Sequence, residues 1–338
     1  MKHFFSVADA GGLSQIVSEA FTQKKAPFAH AALGKHQTLG LVFLNPSLRT
    51  RLSTQKAAMN LGMDVMIMNM DKDGWSLETH DNVIMNGTKA EHIREAAAVM
   101  GSYCDILGLR SFPQLKDADE DYSEDLFLKF MAYCGKPVVS LESATLHPLQ
   151  SLADLMTIIE HGAFTFNGKT GNYEPKTKKP KVVLTWAPHV KALPQAVPNS
   201  FSEWMCKAQA EGLLDFIIAQ PKGYELNERF TAGAQLVYDQ EKAFEKADFI
   251  YVKNWSSYKE YGQILPAEPH WMPTLKSLEN TNDARVMHCL PARRDLELGS
   301  DILDSERSLV IPEAGNRVWA AQAVLKRILE AKRTGWKN

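Results

Sequence analysis

The sequence predicts an α/β protein of two domains, each a mainly parallel sheet flanked by helices, the two joined by interdomain helices. Three observations predict it. The chain has 338 residues, more than one hydrophobic core usually serves. Short apolar runs alternate with amphipathic stretches along its length, and a strongly apolar helical stripe separates one group of runs from the next.

In the first half the strand-like runs lie at 39–44, 64–68, 105–109 and 137–141, each followed by a helix-like or loop segment. The second half repeats the habit at 181–186, 214–219, 235–238, 248–252, 285–288 and 308–311. Between the groups, 148–161 carries Leu149, Leu152, Leu155, Met156 and Ile159 at helical spacing behind Pro148, a residue suited to a first helical turn. This is the expected interdomain helix, dividing a first domain at 1–147 from a second at 148–317. A last helix is expected over 318–332 from Val318, Ala321, Val324, Leu325 and Ile328, within a segment 318–338 that packs back on the first domain. The stretch 166–181, rich in Gly, Thr, Asn and Lys, is expected to be an exposed loop.

Composition narrows the function classes. Hydrophobic residues make up 45% and charged residues 23%, the balance of a globular protein rather than a disordered one. A net charge of −2 provides no global positive field for a nucleic acid backbone, which turns the expectation toward small-molecule partners. No apolar run approaches the roughly 20 residues that cross a bilayer. The opening Met1-Lys2-His3-Phe4-Phe5 turns polar too early for a secretory signal, so a cytoplasmic protein is expected. Cys104, Cys134, Cys206 and Cys289 are widely spaced and suggest neither a zinc site nor a disulfide framework. No Gly-x-Gly-x-x-Gly follows the first strand, so a dinucleotide-binding oxidoreductase lacks support. No metal or organic cofactor is expected.

The most informative stretch is Phe43-Leu44-Asn45-Pro46-Ser47-Leu48-Arg49-Thr50-Arg51, which follows a strand-like run and opens an amphipathic segment. Free backbone N–H groups and the helix dipole favour an anion at such a start, and the Ser47 and Thr50 hydroxyls and the forked Arg49 guanidinium can saturate phosphate oxygens. Taken alone, an isolated Ser-x-Arg is better read as a helix cap, Ser47, beside two solvated arginines. The whole string, however, resembles the carbamoyl phosphate motif of the aspartate and ornithine carbamoyltransferase family.

Three further segments follow in that family's order, so the resemblance covers nearly the whole chain. His147-Pro148-Leu149-Gln150 with Leu152-Ala153-Asp154 is similar to His-Pro-x-Gln and its continuation; His147 and Gln150 lie one turn apart and can face one ligand. His288-Cys289-Leu290-Pro291 is similar to the loop beside the reacting amine in ornithine-type enzymes, and nothing near Cys289 marks a nucleophile with its base. Glu313-Ala314-Gly315-Asn316-Arg317 is like Glu-x-x-Asn-Arg, whose arginine reaches carbamoyl phosphate in the family. Arg110 follows a strand-like run at the end where α/β proteins place ligand-binding groups.

The resemblance implies transfer of the carbamoyl group of carbamoyl phosphate to an amine, with Arg49, Thr50, Arg110 and His147 around the developing oxyanion. Ser47, Leu48, Gln150, Cys289, Leu290 and Arg317 complete the implied carbamoyl phosphate contacts, together with Trp75 from a neighbouring subunit of a homotrimer. Each oxyanion donor is worth on the order of 2.7–4 kcal/mol of the barrier.

For the acceptor, the Ser-Met-Gly loop of ordinary ornithine enzymes is missing. Tyr251-Val252-Lys253-Asn254-Trp255-Ser256 stands there instead and resembles the Lys-x-Trp segment of carbamoyltransferases acting on N-acylated ornithine, with Lys253 on the α-carboxylate. Glu142, His189 in Thr185-Trp186-Ala187-Pro188-His189, Cys289, Leu290 and Arg293 are the other implied acceptor contacts. The acetylornithine branch carries a glutamate at the slot of Ala90, facing the acyl end of the substrate. A carboxylate about 4 Å from a succinyl carboxylate costs roughly 4 kcal/mol at an effective dielectric of 20, so Ala90 favours N-succinylornithine, although the succinyl enzymes carry proline here. Pro194 and Glu297 also depart from the acetyl branch, which has asparagine and lysine there; by itself Glu297 reads as a surface residue. The competing readings are an N-acetylornithine enzyme, a plain ornithine enzyme and a non-catalytic carbamoyl phosphate-binding regulator.

Overall fold

The computed structural model describes residues 1–266 and 269–335, so the tail of the expected 318–338 segment lies partly outside the described residues. Its first sheet contains β1 (Thr38–Phe43), β2 (Asp64–Asn69), β5 (Ile106–Arg110) and β6 (Val138–Glu142), and a short parallel pair, β3 (Leu77–Glu78) and β4 (Glu91–His92), stands apart from it. The strand order is β2-β1-β5-β6, all parallel. After the hairpin β7 (Phe164–Asn167) and β8 (Asn172–Pro175), the second sheet comprises β9 (Lys181–Trp186), β10 (Asp215–Ala219), β11 (Gln235–Val237), β12 (Phe249–Lys253) and β13 (Arg285–Met287). These run parallel in the order β11-β10-β9-β12-β13. The fold is the expected two-sheet α/β arrangement.

Strands β5, β6 and β12 are buried at every position, as suits parallel strands covered on both faces. Edge strand β2 instead alternates, leaving Met66 and Met68 exposed. The helix Pro148–His161 begins with Pro148 in its first turn and is buried from Pro148 to Ile159, as befits a helix enclosed on nearly all sides.

Two expectations are corrected. The run 308–311 is not a strand: Ser308 makes only an isolated bridge to Val286, and the chain enters the helix Val310–Arg333. Pro312 explains the outcome, because its missing N–H is harmless in a first helical turn but would interrupt a ladder. The stretch 166–181 is not simply a loop, since β7 and β8 pair antiparallel through a turn where Gly171 holds φ +72°. Aromatic contacts fix this hairpin: Tyr173 lies 5.1 Å from Phe166 and 6.0 Å from Phe21 between ring centroids.

The terminal helix therefore starts at Val310 rather than 318, and it packs on the helices Leu13–Lys25, Leu48–Asn60 and Pro148–His161. Glu313, Asn316, Arg317, Ala320 and Ala321 form its buried face.

Strand order also fixes where a ligand can sit. In the first sheet the chain leaves β1 toward β2 and later adds β5 on the other side of β1; in the second it leaves β9 toward β10 and later adds β12 opposite. The carboxyl ends of β1 with β5, and of β9 with β12, are thus two topological switch points, the places where open α/β sheets leave a crevice.

Candidate active site

A cleft of about 400 Å³ lies between these crevices and is lined from both sheets. From the first come Ser47, Arg49, Thr50, Arg110, Phe112 and Glu142; from the second come His189, Leu193, Pro194, Val197 and Lys253. The loop carrying Cys289, Leu290, Pro291 and Arg293 contributes, as do His147 and Gln150 of the interdomain helix start and Arg317 of the terminal helix.

The helix Leu48–Asn60 starts directly after the β1 end. Ser47 is its N-cap, accepting a hydrogen bond from Thr50 N at 3.3 Å, so cap and ligand-facing position coincide. Asn45 Oδ1 accepts from Phe112 N at 2.7 Å and ties the segments after β1 and β5 together. Arg110, the last residue of β5, forms a buried ion pair with Glu142, the last of β6, and its guanidinium stacks 4.5 Å from the Phe112 ring centre. His147 Nε2 is 3.6 Å from Glu142 Oε2 and 3.4 Å from Arg317 Nη2.

Burial, followed by the charges of Arg317, Arg110 and Arg49, pushes the His147 imidazole well below its ordinary value, so it is neutral near pH 7. Burial likewise lowers Arg49, and burial with the adjacent Arg110 brings Arg317 down to about 10. Such crowding of guanidinium groups at one end of a cleft is unfavourable unless an anion lies among them. Arg49 Nε, Arg110 Nε, Arg317 Nε, His147 Nδ1 and Gln150 Oε1 are moreover buried without a hydrogen-bond partner.

Carboxylates hold this array from behind. Gln150 Nε2 donates to Asp154 Oδ1 at 2.7 Å and to Glu313 Oε1 at 3.2 Å. Both acids are buried; burial raises Asp154 to about 7, and burial with the facing Asp154 raises Glu313 well above the usual carboxylate range, so the pair retains a proton. Glu313 Oε2 also accepts from His288 N at 2.8 Å, joining the terminal helix to the loop after β13.

On the second-sheet side of the cleft, Glu297 is fully buried, contrary to its reading as a surface residue. It accepts from Asn254 N at 3.2 Å and Arg293 N at 3.3 Å, lies 3.1 Å from His288 Nε2 and 3.8 Å from Lys253 Nζ. Burial alone would raise this carboxyl, but His288, Lys253 and the Asn254 amide bring it down to about 2. Leu290 N donates to His288 Nδ1 at 2.9 Å, which leaves the ring proton on the nitrogen facing Glu297. His189 Nε2 accepts from Arg293 Nε at 3.1 Å, so these two groups are assembled as one wall. Burial holds the Cys289 thiol up at about 11, which makes it a contact surface and no nucleophile at neutral pH.

The structure does not bring Leu48, Trp75 or Ala90 into this cleft. The Leu48 side chain is 69% exposed, so only its backbone, in the first helical turn, faces the right way for an anion. Trp75 is 57% exposed and donates from Nε1 to Glu91 Oε2 at 2.9 Å, and Ala90 N donates to Ser76 O at 3.3 Å. The β3–β4 pairing, with the Ala90 amide on Ser76 and the Trp75 indole on Glu91, therefore holds Trp75 and Ala90 on one exposed segment. Phe112, Leu193 and Val197, which form apolar parts of the wall, carried no signal in the sequence beyond ordinary core hydrophobicity. Asp154 did carry one, standing one helical turn after Gln150.

Residues 2–160 match the family model for the aspartate/ornithine carbamoyltransferase carbamoyl-P binding domain, and residues 199–328 match that for its Asp/Orn binding domain. The chain belongs to this carbamoyltransferase family. It is 50% identical to the N-succinylornithine carbamoyltransferase of Bacteroides thetaiotaomicron, over 98% of this chain and 99% of that protein. It is 31% identical to the N-acetylornithine carbamoyltransferase of Xanthomonas campestris pv. campestris, over 98% of this chain and 99% of that one. A crystal structure of an N-acetyl-L-ornithine transcarbamylase variant complexed with carbamyl phosphate and N-succinyl-L-norvaline superposes with a TM-score of 0.86 at 30% identity, covering 97% of this chain and 100% of that one.

Proposed function

We infer that this carbamoyltransferase moves the carbamoyl group of carbamoyl phosphate to the side-chain amine of N-succinyl-L-ornithine, giving N-succinyl-L-citrulline and phosphate. The observation that carries it is the set of unpartnered buried groups on Arg49, Arg110, His147, Gln150 and Arg317 around one cleft. Separate chain segments supply them, and their charge and donors suit a phosphate joined to a polar carbonyl. The reading agrees with the succinylornithine enzymes to which the whole chain is similar.

In this reaction the uncharged amine attacks the carbonyl carbon. Negative charge then grows on the carbonyl oxygen, among Arg49, Thr50, Arg110 and His147, and passes to phosphate as its bond to carbon breaks, the departing phosphate taking up the proton that the attacking nitrogen sheds. Ser47, the start of the helix at Leu48, Arg49 and Arg317 hold that phosphate through donors already in place. Because His147 is neutral, it offers an N–H to the oxygen without adding another cation to the guanidinium cluster. Gln150, its amide nitrogen held by Asp154 and Glu313, presents its carbonyl oxygen to the carbamoyl amino group. Lys253 binds the α-carboxylate, and Glu142, His189, Cys289, Leu290 and Arg293 shape the remaining acceptor site.

Trp75 and Ala90 serve the site of a neighbouring subunit, so the active form is a homotrimer. Placement in the cytoplasm and in arginine biosynthesis belongs to the same proposal. Ala90 supplies the acyl preference by leaving the succinyl carboxylate without a facing acid. Solved complexes with N-succinyl-L-norvaline support this, because the N-acetyl-L-ornithine transcarbamylase in them carries alanine, serine or proline in place of one glutamate. The deciding assay supplies carbamoyl phosphate with ornithine, N-acetylornithine or N-succinylornithine and measures ureido product. Fastest turnover of the succinyl compound is expected; faster turnover of the acetyl compound overturns the assignment.

A further inference from the structure

One side chain of the first domain reaches into the wall of the acceptor site without lining it. Tyr122 lies on the short helix Ala118–Ser123, between β5 and β6. Its hydroxyl donates to Gln195 Oε1 at 2.5 Å and accepts from Asn199 Nδ2 at 3.2 Å. Gln195 is buried between Pro194 and Val197, which line the cleft. Its amide nitrogen donates to Ser256 O at 2.8 Å. Ser256 in turn donates to Leu193 O from its backbone N at 3.0 Å and from Oγ at 2.9 Å.

A continuous chain of hydrogen bonds thus runs from a first-domain phenol through Gln195 to the segment that follows Lys253. Neighbouring contacts fix the helix that carries it. Asp121 accepts from Gln114 N and Leu115 N, each at 2.9 Å, and from Tyr261 Oη of the second domain at 2.9 Å. Gly262, at φ +72°, admits the Leu115 carbonyl where a Cβ would strike it. The Tyr122 ring packs against Tyr258 at 4.9 Å between centroids, and Arg229 lies over it at 5.0 Å.

We propose that Tyr122 is a positioning residue of the acceptor site: its hydroxyl, supplied by the carbamoyl phosphate domain, fixes Leu193–Val197 and the end of the Lys253–Ser256 segment in their substrate-binding arrangement. The hydroxyl orients the Gln195 amide, since Oε1 must face the phenol for Nε2 to face Ser256. Without it, a buried amide oxygen loses a donor and the wall loses its tie to the first domain. The assignment of the acceptor to this wall rests on the function proposed above.

The test is Tyr122→Phe, which removes the hydroxyl and keeps the aromatic packing. We expect the KM for the acylornithine to rise about tenfold, the effect of one lost buried hydrogen bond, with the KM for carbamoyl phosphate unchanged. Hydrogen exchange in the substrate-free protein should become faster at the Ser256 amide and across 193–199. Gln195→Met should have the same effect, and the double variant should be no worse than either alone. Unchanged exchange and unchanged acylornithine KM overturn the proposal. So does an equal rise of both KM values with a lowered midpoint, which would mark a merely structural role. If the parent enzyme turned over no acylornithine, the function proposed above would fail, while the exchange comparison would still decide the role of Tyr122.

Discussion

Arg317 Nη2 donates to Thr50 Oγ1 at 2.5 Å, joining the terminal helix to the first turn of the helix after β1. Under the proposed function the contact pre-aligns a cation for the phosphate with a hydroxyl for the same ligand, and its cost is a buried guanidinium lowered to about 10. Arg317→Ala is expected to reduce kcat by about a hundredfold or more, the scale of losing one preorganised donor to a developing anion. Steady-state kinetics with carbamoyl phosphate varied would show it, and full activity would remove Arg317 from the phosphate site.

Arg49→Ala and His147→Ala are expected to depress turnover while leaving the far-UV circular dichroism and the urea midpoint near those of the parent. Both side chains face a cleft in which Arg49 Nε and His147 Nδ1 have no protein partner, so removing either breaks little that holds the fold. If both variants kept parental turnover, the carbonyl-polarising assignment would be wrong.

Ala90→Glu is expected to reduce kcat/KM for N-succinylornithine strongly while affecting N-acetylornithine far less. The repulsion is roughly 4 kcal/mol at a separation of about 4 Å and an effective dielectric of 20. Competition between the two acceptors in one reaction mixture measures the change directly. An equal loss on both would mean that Ala90 does not face the acyl group.

The proposed sharing of sites between subunits is tested by complementation. Trp75→Ala and Arg317→Ala are each expected to give nearly inactive enzyme, because under that proposal one lacks the group lent to a neighbour and the other lacks the phosphate ligand. Mixing the two after mild dissociation should restore activity, since a hybrid contains sites with Arg317 from one variant and Trp75 from the other. No recovery in mixtures shown by mass spectrometry to be hybrid would exclude the shared arrangement.

Glu297 gives a pH signature. Its carboxyl lies at about 2 in the fold against an ordinary value of 4.5, so the unfolded chain binds the extra proton as pH falls. The resulting stability is fully present above pH 4.5 and is lost between 4.5 and about 2. Glu297→Gln should therefore lower the urea midpoint at pH 7 and flatten the loss in that acid window. Buried neutral His147 and His288 act in a different window, destabilising the fold as pH drops below 6.5, so the two effects separate in a pH series.

Much of this architecture was legible in the sequence, for identifiable reasons. Strands such as β5, β6 and β12 are covered on both faces, so their apolar runs stand out without tertiary information. The interdomain helix announced itself through Pro148 and its leucines. The signal at 308–311 misled because an apolar run before a proline fits a strand end and a helix start equally well, and only packing under β13 decides between them. In the cleft, motif residues were readable because they cluster locally. Glu297 was not, because its burial depends on the meeting of segments after β12 and β13. Tyr122 was invisible for the same reason, its partner lying at Gln195 in the other domain.

The placement of Arg317 on the last helix has a consequence for biogenesis. Val310–Arg333 follows the strands of both sheets in chain order, so the cation proposed to meet the phosphate arrives only with that helix. Completion of the proposed phosphate site is thus tied to one docking event, the same one that covers the helices Leu13–Lys25, Leu48–Asn60 and Pro148–His161, so a product without this helix would lose core packing together with the cation.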